Sequence, residues 1–377
     1  MLVSKSDFVG LEGVIHLAAG GETPMLRRHA NAFEQFCASK ALGLDSHKHF
    51  NATRARVQQH LAELLHMHAE DIALTGNSSA GIAQVVSAID WQAGDNVVVG
   101  EYEFPSGLFG LARLQALGVE LRVIKSPNYY LNIDDLIAAC DQRTRLVYVS
   151  YVSYYTGQRV DLERLSAGVH RTPAMLLLDA THALGVVPVD GDLCDFVVCS
   201  GYKWLLATHQ GILAWNRRRQ PHFEPLGVGW RSANPDTEQV YRLHASAMRA
   251  ELGNPNHLDV CILEQALLYL KGVGIDRIAA NALRLGGRVR AALVDLGLEV
   301  ITPEPEAERA GNICFVHPQA EQIARLGLRH GMQLWGSEGR MRISIHLYTD
   351  DADIDAFLAV LPALVEEASH VSEETRP

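Results

Sequence analysis

Asp179 and Lys203 each stand at the end of an apolar run, the first after 174–178 and the second just past 196–199. A carboxylate at the C-terminal end of a parallel strand points into the crevice where open α/β sheets bind ligands. Lys203 lies between Tyr202 and Trp204. Lysine is seldom buried without a purpose, and desolvation lowers its pKa and makes the amine a nucleophile. An acid and a lysine placed this way suit pyridoxal phosphate, which needs a lysine for its Schiff base and a carboxylate to keep its pyridine nitrogen protonated. Taken alone, Lys203 reads equally well as a surface lysine at a strand end.

The elements that would position these groups follow from periodicity. A short apolar segment, 14–24, ends in Gly20, Gly21 and Pro24, and helical patterns follow at 25–41 and 51–68. Strands alternate with helices from there: 72–75, 96–99, 119–124, 146–149, 174–178, 196–199 and 211–215. The first of them runs through Gly76, Asn77, Ser78 and Ser79 into a helix at 80–89. Small polar side chains at a helix N-terminus make an anion site, and they serve equally as a plain N-cap. Polar or aromatic clusters close the other strands, among them Glu101–Ser106 and Ser150–Gly157. The expected fold is α/β, a mainly parallel doubly wound sheet with helices on both faces, plus a smaller C-terminal α+β domain. The second part holds helices at 258–270, 275–296, 319–330 and 352–367 and strands at 299–301, 312–316 and 341–346. The division expected is 1–256 and 257–377, with a long irregular connection at 221–256. Connections that long are usually functional. The polar tail 369–377 reads as disordered.

Composition narrows the function. Of 377 residues, 44 are acidic and 33 basic, giving a net charge of −11. That excess argues against nucleic-acid binding. No apolar stretch approaches a bilayer span and the N-terminus lacks a signal-peptide pattern, so a cytoplasmic protein without membrane contact is expected. Six cysteines without a C-x-x-C pair read as reduced core thiols. His47 with His49 and His66 with His68 lack the H-E-x-x-H pattern, so no metal is expected. A nicotinamide dehydrogenase is set aside because no G-x-G-x-x-G follows a first strand.

Taken together, these residues resemble the class V aminotransferases of fold type I, the group that includes cysteine desulfurases, isopenicillin N epimerases and kynureninases. The resemblance runs from His16 to about Phe357 and is most specific in DATHALG and SGYKWLL. It implies that Lys203 forms the Schiff base and Asp179 pairs with the pyridine nitrogen. It implies further that Asn77, Ser78 and Ser79, helped by Ser200, hold the cofactor phosphate. Phe104 of EFPS would stack on the pyridine ring, with Tyr102 as the alternative, and His182 would approach the phenolic oxygen. Asn254 of ELGNPN takes the place of a threonine that reaches the phosphate of the neighbouring subunit, implying a homodimer with shared sites. Arg342 of RMRIS would clamp the substrate α-carboxylate, a task suited to its planar fork. The sequence departs from desulfurases in two places: QLWGSEGRMR lacks their mobile-loop cysteine, and Tyr202 stands where they carry histidine. The resemblance therefore implies a pyridoxal phosphate enzyme acting at the Cα of an amino acid. Aminotransferase chemistry ranks first, then β-elimination, then epimerisation. A catalytically inactive binding module would have lost the lysine or the aspartate, and both are present.

Overall fold

The computed structural model describes residues 2–374, with side chains through His370. Seven strands form the central sheet: β1 (Ile72–Thr75), β2 (Asn96–Gly100), β3 (Glu120–Ile124), β4 (Thr144–Ser150), β5 (Met175–Asp179), β6 (Phe196–Ser200) and β7 (Gly211–Trp215). Their spatial order is β1-β7-β6-β5-β4-β2-β3. All neighbours are parallel except at β7, which runs against both β1 and β6. That reversal puts the start of β7, rather than its end, beside the carboxyl ends of the other strands, a point hydropathy alone does not reveal.

The strands read as continuous apolar runs because both faces of the sheet are covered. Successive side chains alternate between two cores. Leu176, Leu178, Val197 and Cys199 join one, with Val57 and Leu61 of helix α2 and Leu162 and Leu165 of helix α6. Leu177, Phe196 and Val198 join the other, with Ile82 and Val85 of helix α3 and Leu111 of helix α4. The helices are α1 (His29–Lys40), α2 (Ser46–Leu65), α3 (Ser78–Ser87), α4 (Pro105–Ala112), α5 (Ile133–Ala138), α6 (Leu162–Val169), α7 (His257–Val273), α8 (Ile275–Asp295), α9 (Ala320–Arg329) and α10 (Asp351–Glu374). α2 stops where His66 turns left-handed, at φ 55°.

A smaller antiparallel sheet follows α8, built from β8 (Glu299–Val300), β9 (Asn312–Val316), β10 (Trp335–Ser337) and β11 (Arg340–Ser344) in the order β8-β9-β11-β10. Its register sets Asn312 opposite Ser344 and Cys314 opposite Arg342. Asn256 caps α7 at the boundary expected between 256 and 257. Two features differ from the sequence reading. Ile15–His16 pairs in parallel with Met332–Gln333, and Ala18 bridges Ser344, so the N-terminal segment is tied to the small sheet. The tail expected to be disordered from Ser369 instead continues α10 to Glu374; Ala368 is buried against the core and Ser369 Oγ donates back to the Val365 carbonyl at 2.9 Å. Residues 375–377 lie outside the described residues. The connection 221–256 also has more order than expected, with a hairpin of Ala233–Pro235 against Tyr241–Leu243.

Candidate active site

Asp179 is the last residue of β5 and is buried. Its two oxygens have different partners: the Thr181 backbone N–H donates to Oδ1 at 2.9 Å, and the Tyr148 hydroxyl donates to Oδ2 at 3.1 Å. Tyr148 comes from β4, the next strand, and is fully buried. Burial, reinforced by Asp179, holds its phenol well above the usual range, so it stays a donor. A second carboxyl, Glu103, lies behind this pair. It accepts from the Ser150 backbone N–H at 3.0 Å and from Ser150 Oγ at 2.5 Å. Burial raises its pKa to about 7, against the opposing effect of the Ser150 hydrogen bonds.

The Tyr148 ring explains Gly107. A Cβ there would sit 2.3 Å from Tyr148 Cε1 and 2.6 Å from its oxygen. Gly107 lies in the first turn of α4, where Gly→Ala would ordinarily stabilise by up to about 1 kcal/mol. Here overpacking of about 1 to 3 kcal/mol should outweigh that gain. The expected result is a lower thermal midpoint together with reduced activity, because moving Tyr148 disturbs Asp179. A midpoint at or above that of the wild type would contradict the packing argument.

Lys203 sits in the turn that leaves β6, and its side chain is buried. Thr23, from the N-terminal segment, donates Oγ1 to the carbonyls of Tyr202 and Lys203 at 3.1 and 3.0 Å, which pins the turn. Gly185 backs the same turn; a Cβ there would fall 2.2 Å from the Trp204 carbonyl oxygen. Lys203 Nζ lies 3.1 Å from His182 Nε2 and 5.4 Å from the ring centres of Phe104 and Tyr202. Burial, with the nearby Arg342 charge, lowers its pKa to about 8 against the opposing pull of Asp179. An amine in that range is unprotonated to about a tenth at neutral pH, far more than an ordinary lysine.

α3 begins at Ser78, with Asn77 as its N-cap accepting from the Ala80 N–H at 2.8 Å. Ser200 Oγ, at the end of β6, accepts from the Ser78 N–H at 3.1 Å and donates to Ser78 Oγ at 2.9 Å. First-turn N–H groups lack intrahelical acceptors, so this end of α3 offers donors and a positive dipole end to an anion. Asn77, Ser78, Ser79, Phe104, Asp179, His182, Ser200 and Lys203 all line one cavity of about 300 Å³. Tyr154, whose ring packs edge-on to Phe104 at 5.0 Å, and His209, stacked on Tyr202 at 5.0 Å, also line it. Tyr102 is outside, in a stack with Tyr155.

Two expected site residues do not line this cavity. Arg342 lies behind Tyr154, donating Nη1 to its carbonyl at 3.2 Å, with its guanidinium 4.3 Å from the Trp335 ring centre. It is buried, and its Nε has no protein partner. Asn254 lines a different hollow of about 200 Å³, with Gly76, Gln210 and Asp259. Within one chain, Asn254 and Lys203 are not brought together.

The model of the class-V aminotransferases matches residues 28–357. The chain belongs to this family. Among relatives of this class-V aminotransferase family member, a probable cysteine desulfurase of Methanothermobacter thermautotrophicus is 26% identical over 309 residues, covering 78% of this chain and 76% of its own length. A kynureninase of Bacillus cereus is 25% identical over 347 residues, 85% of this chain and 81% of its own. Among solved structures, the apo cysteine desulfurase of Thermococcus onnurineus superposes with a TM-score of 0.88 at 22% identity, covering 96% of this chain and 97% of that one. The cystine C–S lyase C-DES, in complex with cysteine persulfide, gives a TM-score of 0.86 at 22% identity over 94% and 98%. These superpositions establish a shared fold. A second structure of C-DES carries glycine covalently linked to its pyridoxal phosphate cofactor.

Sequence reasoning missed Thr23, Tyr148, Asn312 and His209 as participants in this class-V site. Thr181 and Tyr202 were within the quoted motifs and could have been read there. Tyr148 carried a weaker signal, as a tyrosine in the otherwise aliphatic run 146–149. Thr23 and Asn312 carried none, because each meets its partner across more than a hundred residues of chain.

Proposed function

We propose that this protein is a pyridoxal phosphate enzyme that acts at the Cα of an amino acid, with transamination as the leading reaction. The observation that carries the reading is one cavity in which a buried lysine amine, a buried carboxylate and the N-terminus of α3 converge. The residues fit the cofactor chemically. Lys203 is the amine to bond it, Asp179 would face the ring nitrogen, and Asn77, Ser78, Ser79 and Ser200 would receive the phosphate. Phe104 would lie against the ring and His182 beside the phenolic oxygen. When bound, the cofactor supplies an electron sink for the bond broken at Cα.

Lys203 is then the base that takes and returns the Cα proton. Its depressed pKa supports that role, since a general base works best when poised near the working pH. Tyr148 and Thr181 keep Asp179 aimed, and Arg342 would hold the α-carboxylate once Tyr154 yields its carbonyl contact. Transamination ranks first because reprotonation by Lys203 needs no further group. Persulfide chemistry on a protein cysteine has little support: 335–344 form a tight hairpin without cysteine, and Cys314 is fully buried on β9. A screen of amino acids for keto acid, ammonia or loss of optical activity tests the reading. Keto acid without ammonia is expected; ammonia or racemisation alone would replace transamination by elimination or epimerisation.

We further propose a homodimer with shared sites, in which 1–256 and 257–377 act as its large and small parts. The connection 221–256 supports this: Leu226, Trp230 and Val240 are 84%, 72% and 90% exposed, an apolar group that a partner would cover. Its end is rigid, because Glu251 accepts from Arg54 at 2.5 Å, Arg231 at 3.0 Å and the Leu74 N–H at 2.9 Å. Asn254→Ala should weaken cofactor retention several-fold in dialysis while leaving the thermal midpoint nearly unchanged. A monomer by light scattering with full cofactor occupancy would contradict the shared site.

A further inference from the structure

A row of hydrogen bonds leads from Lys203 into the small sheet. Nζ lies 3.1 Å from His182 Nε2, His182 Nδ1 lies 3.0 Å from Asn312 Nδ2, and Ser344 Oγ donates to Asn312 Oδ1 at 2.8 Å. All four side chains are buried, and Asn312 and Ser344 face each other across β9 and β11. An amide nitrogen donates and does not accept, so His182 Nδ1 must be the accepting nitrogen. A neutral imidazole then carries its hydrogen on Nε2. That N–H meets the lone pair of an unprotonated amine. Burial, reinforced by the Arg342 and Arg340 charges, holds the His182 pKa well below the usual range, so the ring is neutral.

The orientation of Asn312 has its own cause. A Cβ built on Gly20 would sit 2.9 Å from Arg342 Nε and 3.0 Å from Asn312 Oδ1, so both atoms border one small space. The guanidinium favours the amide oxygen on its side, which turns the amide nitrogen to His182. We propose that Asn312 is a positioning residue that acts through His182 to favour the free-base form of the Lys203 amine.

The alternative arrangement shows why this matters. An ammonium only donates, so His182 Nε2 would have to accept, and the ring hydrogen would move to Nδ1. Asn312 would then turn its oxygen toward His182 and away from Arg342, while the Ser344 hydroxyl rotates to accept. Protonation of Lys203 thus requires a tautomer change of His182 together with a turn of two side chains, Asn312 and Ser344. The other groups facing Lys203 are Asp179 on β5, Cys199 on β6, Arg342 on β11 and Glu22 in the N-terminal segment; those facing His182 are Arg340 and Arg342. Arg342 and Arg340 act in the same sense as the relay, while Asp179, Cys199 and Glu22 oppose it.

The consequence for turnover rests on the proposed role of Lys203, but the tautomer does not, so a tautomer measurement separates the two. Imidazole ¹⁵N NMR on the full-length, cofactor-free protein reads it directly, with His182→Gln identifying the signal. At a pH above the Lys203 value of about 8, where the amine is the free base, the expected result is hydrogen on Nε2. In Asn312→Asp the carboxylate only accepts, so the hydrogen should move to Nδ1. Lys203 should then be acylated about tenfold more slowly at neutral pH, the effect of one unit of pKa, followed by peptide mass spectrometry. Hydrogen on Nδ1 in the wild type, or wild-type labelling in a folded Asn312→Asp protein, would overturn the proposal. Should that variant not fold, Asn312→Ala decides: a mixture of tautomers supports the relay, and an unchanged Nε2 tautomer overturns it.

Discussion

Lys203→Ala is expected to leave a folded protein that shows no visible absorption band after incubation with pyridoxal phosphate and has no measurable turnover. Lost proton transfer alone accounts for about 10² to 10⁴-fold in rate, and loss of the bonded amine removes the rest. The fold should survive because the turn is held by Thr23 on backbone carbonyls rather than on the lysine side chain. The wild-type amine adds a pH signature. With a pKa lowered to about 8 by burial and Arg342, cofactor loading should quicken by about tenfold per pH unit below that value and level off above it. A band of wild-type strength in the alanine variant would remove Lys203 from the site, and a loading rate independent of pH would show that its amine does not limit the reaction.

Asp179→Asn should keep the cofactor but lose most of the activity. The substitution preserves size, and the Tyr148 and Thr181 donors can both still be met by the amide oxygen only in part. A charge-assisted hydrogen bond is worth about 1.5 to 3 kcal/mol, so a loss of about 10 to 100-fold follows before the weaker electron sink is counted. Asp179→Glu, which retains charge but overfills the space between Tyr148 and the Thr181 N–H, should recover less than a conservative exchange usually does. Wild-type rates in Asp179→Asn, measured with the best amino acid of the screen, would contradict the assignment.

The sheet was legible because covering both faces forces unbroken apolar runs, and each run stops at the residue that reaches the crevice. Asp179, Ser200, Lys203 and the Asn77 to Ser79 turn were therefore readable as strand ends and a helix start. What remained hidden depended on long-range pairing. Nothing in 14–24 announces that Ile15–His16 adds to the small sheet, yet that pairing brings Thr23 over the lysine turn and Gly20 beside Arg342. β7 carries the same apolar pattern whichever way it runs. His182 was expected beside the cofactor's oxygen; in this chain it touches the lysine amine on one side and Asn312 on the other, a contact that only the packing of the small sheet on the large one creates. Arg342 was readable as a guanidinium on a strand, but its enclosure by Tyr154 and Trp335 was not.

The central claim is that the amine of Lys203 bonds the cofactor. Borohydride reduction of the cofactor-loaded protein fixes that bond, and mass spectrometry of its proteolytic peptides then locates it. One modified peptide is expected, carrying the phosphopyridoxyl group on Lys203; modification of another lysine, or none after full loading, would contradict this assignment.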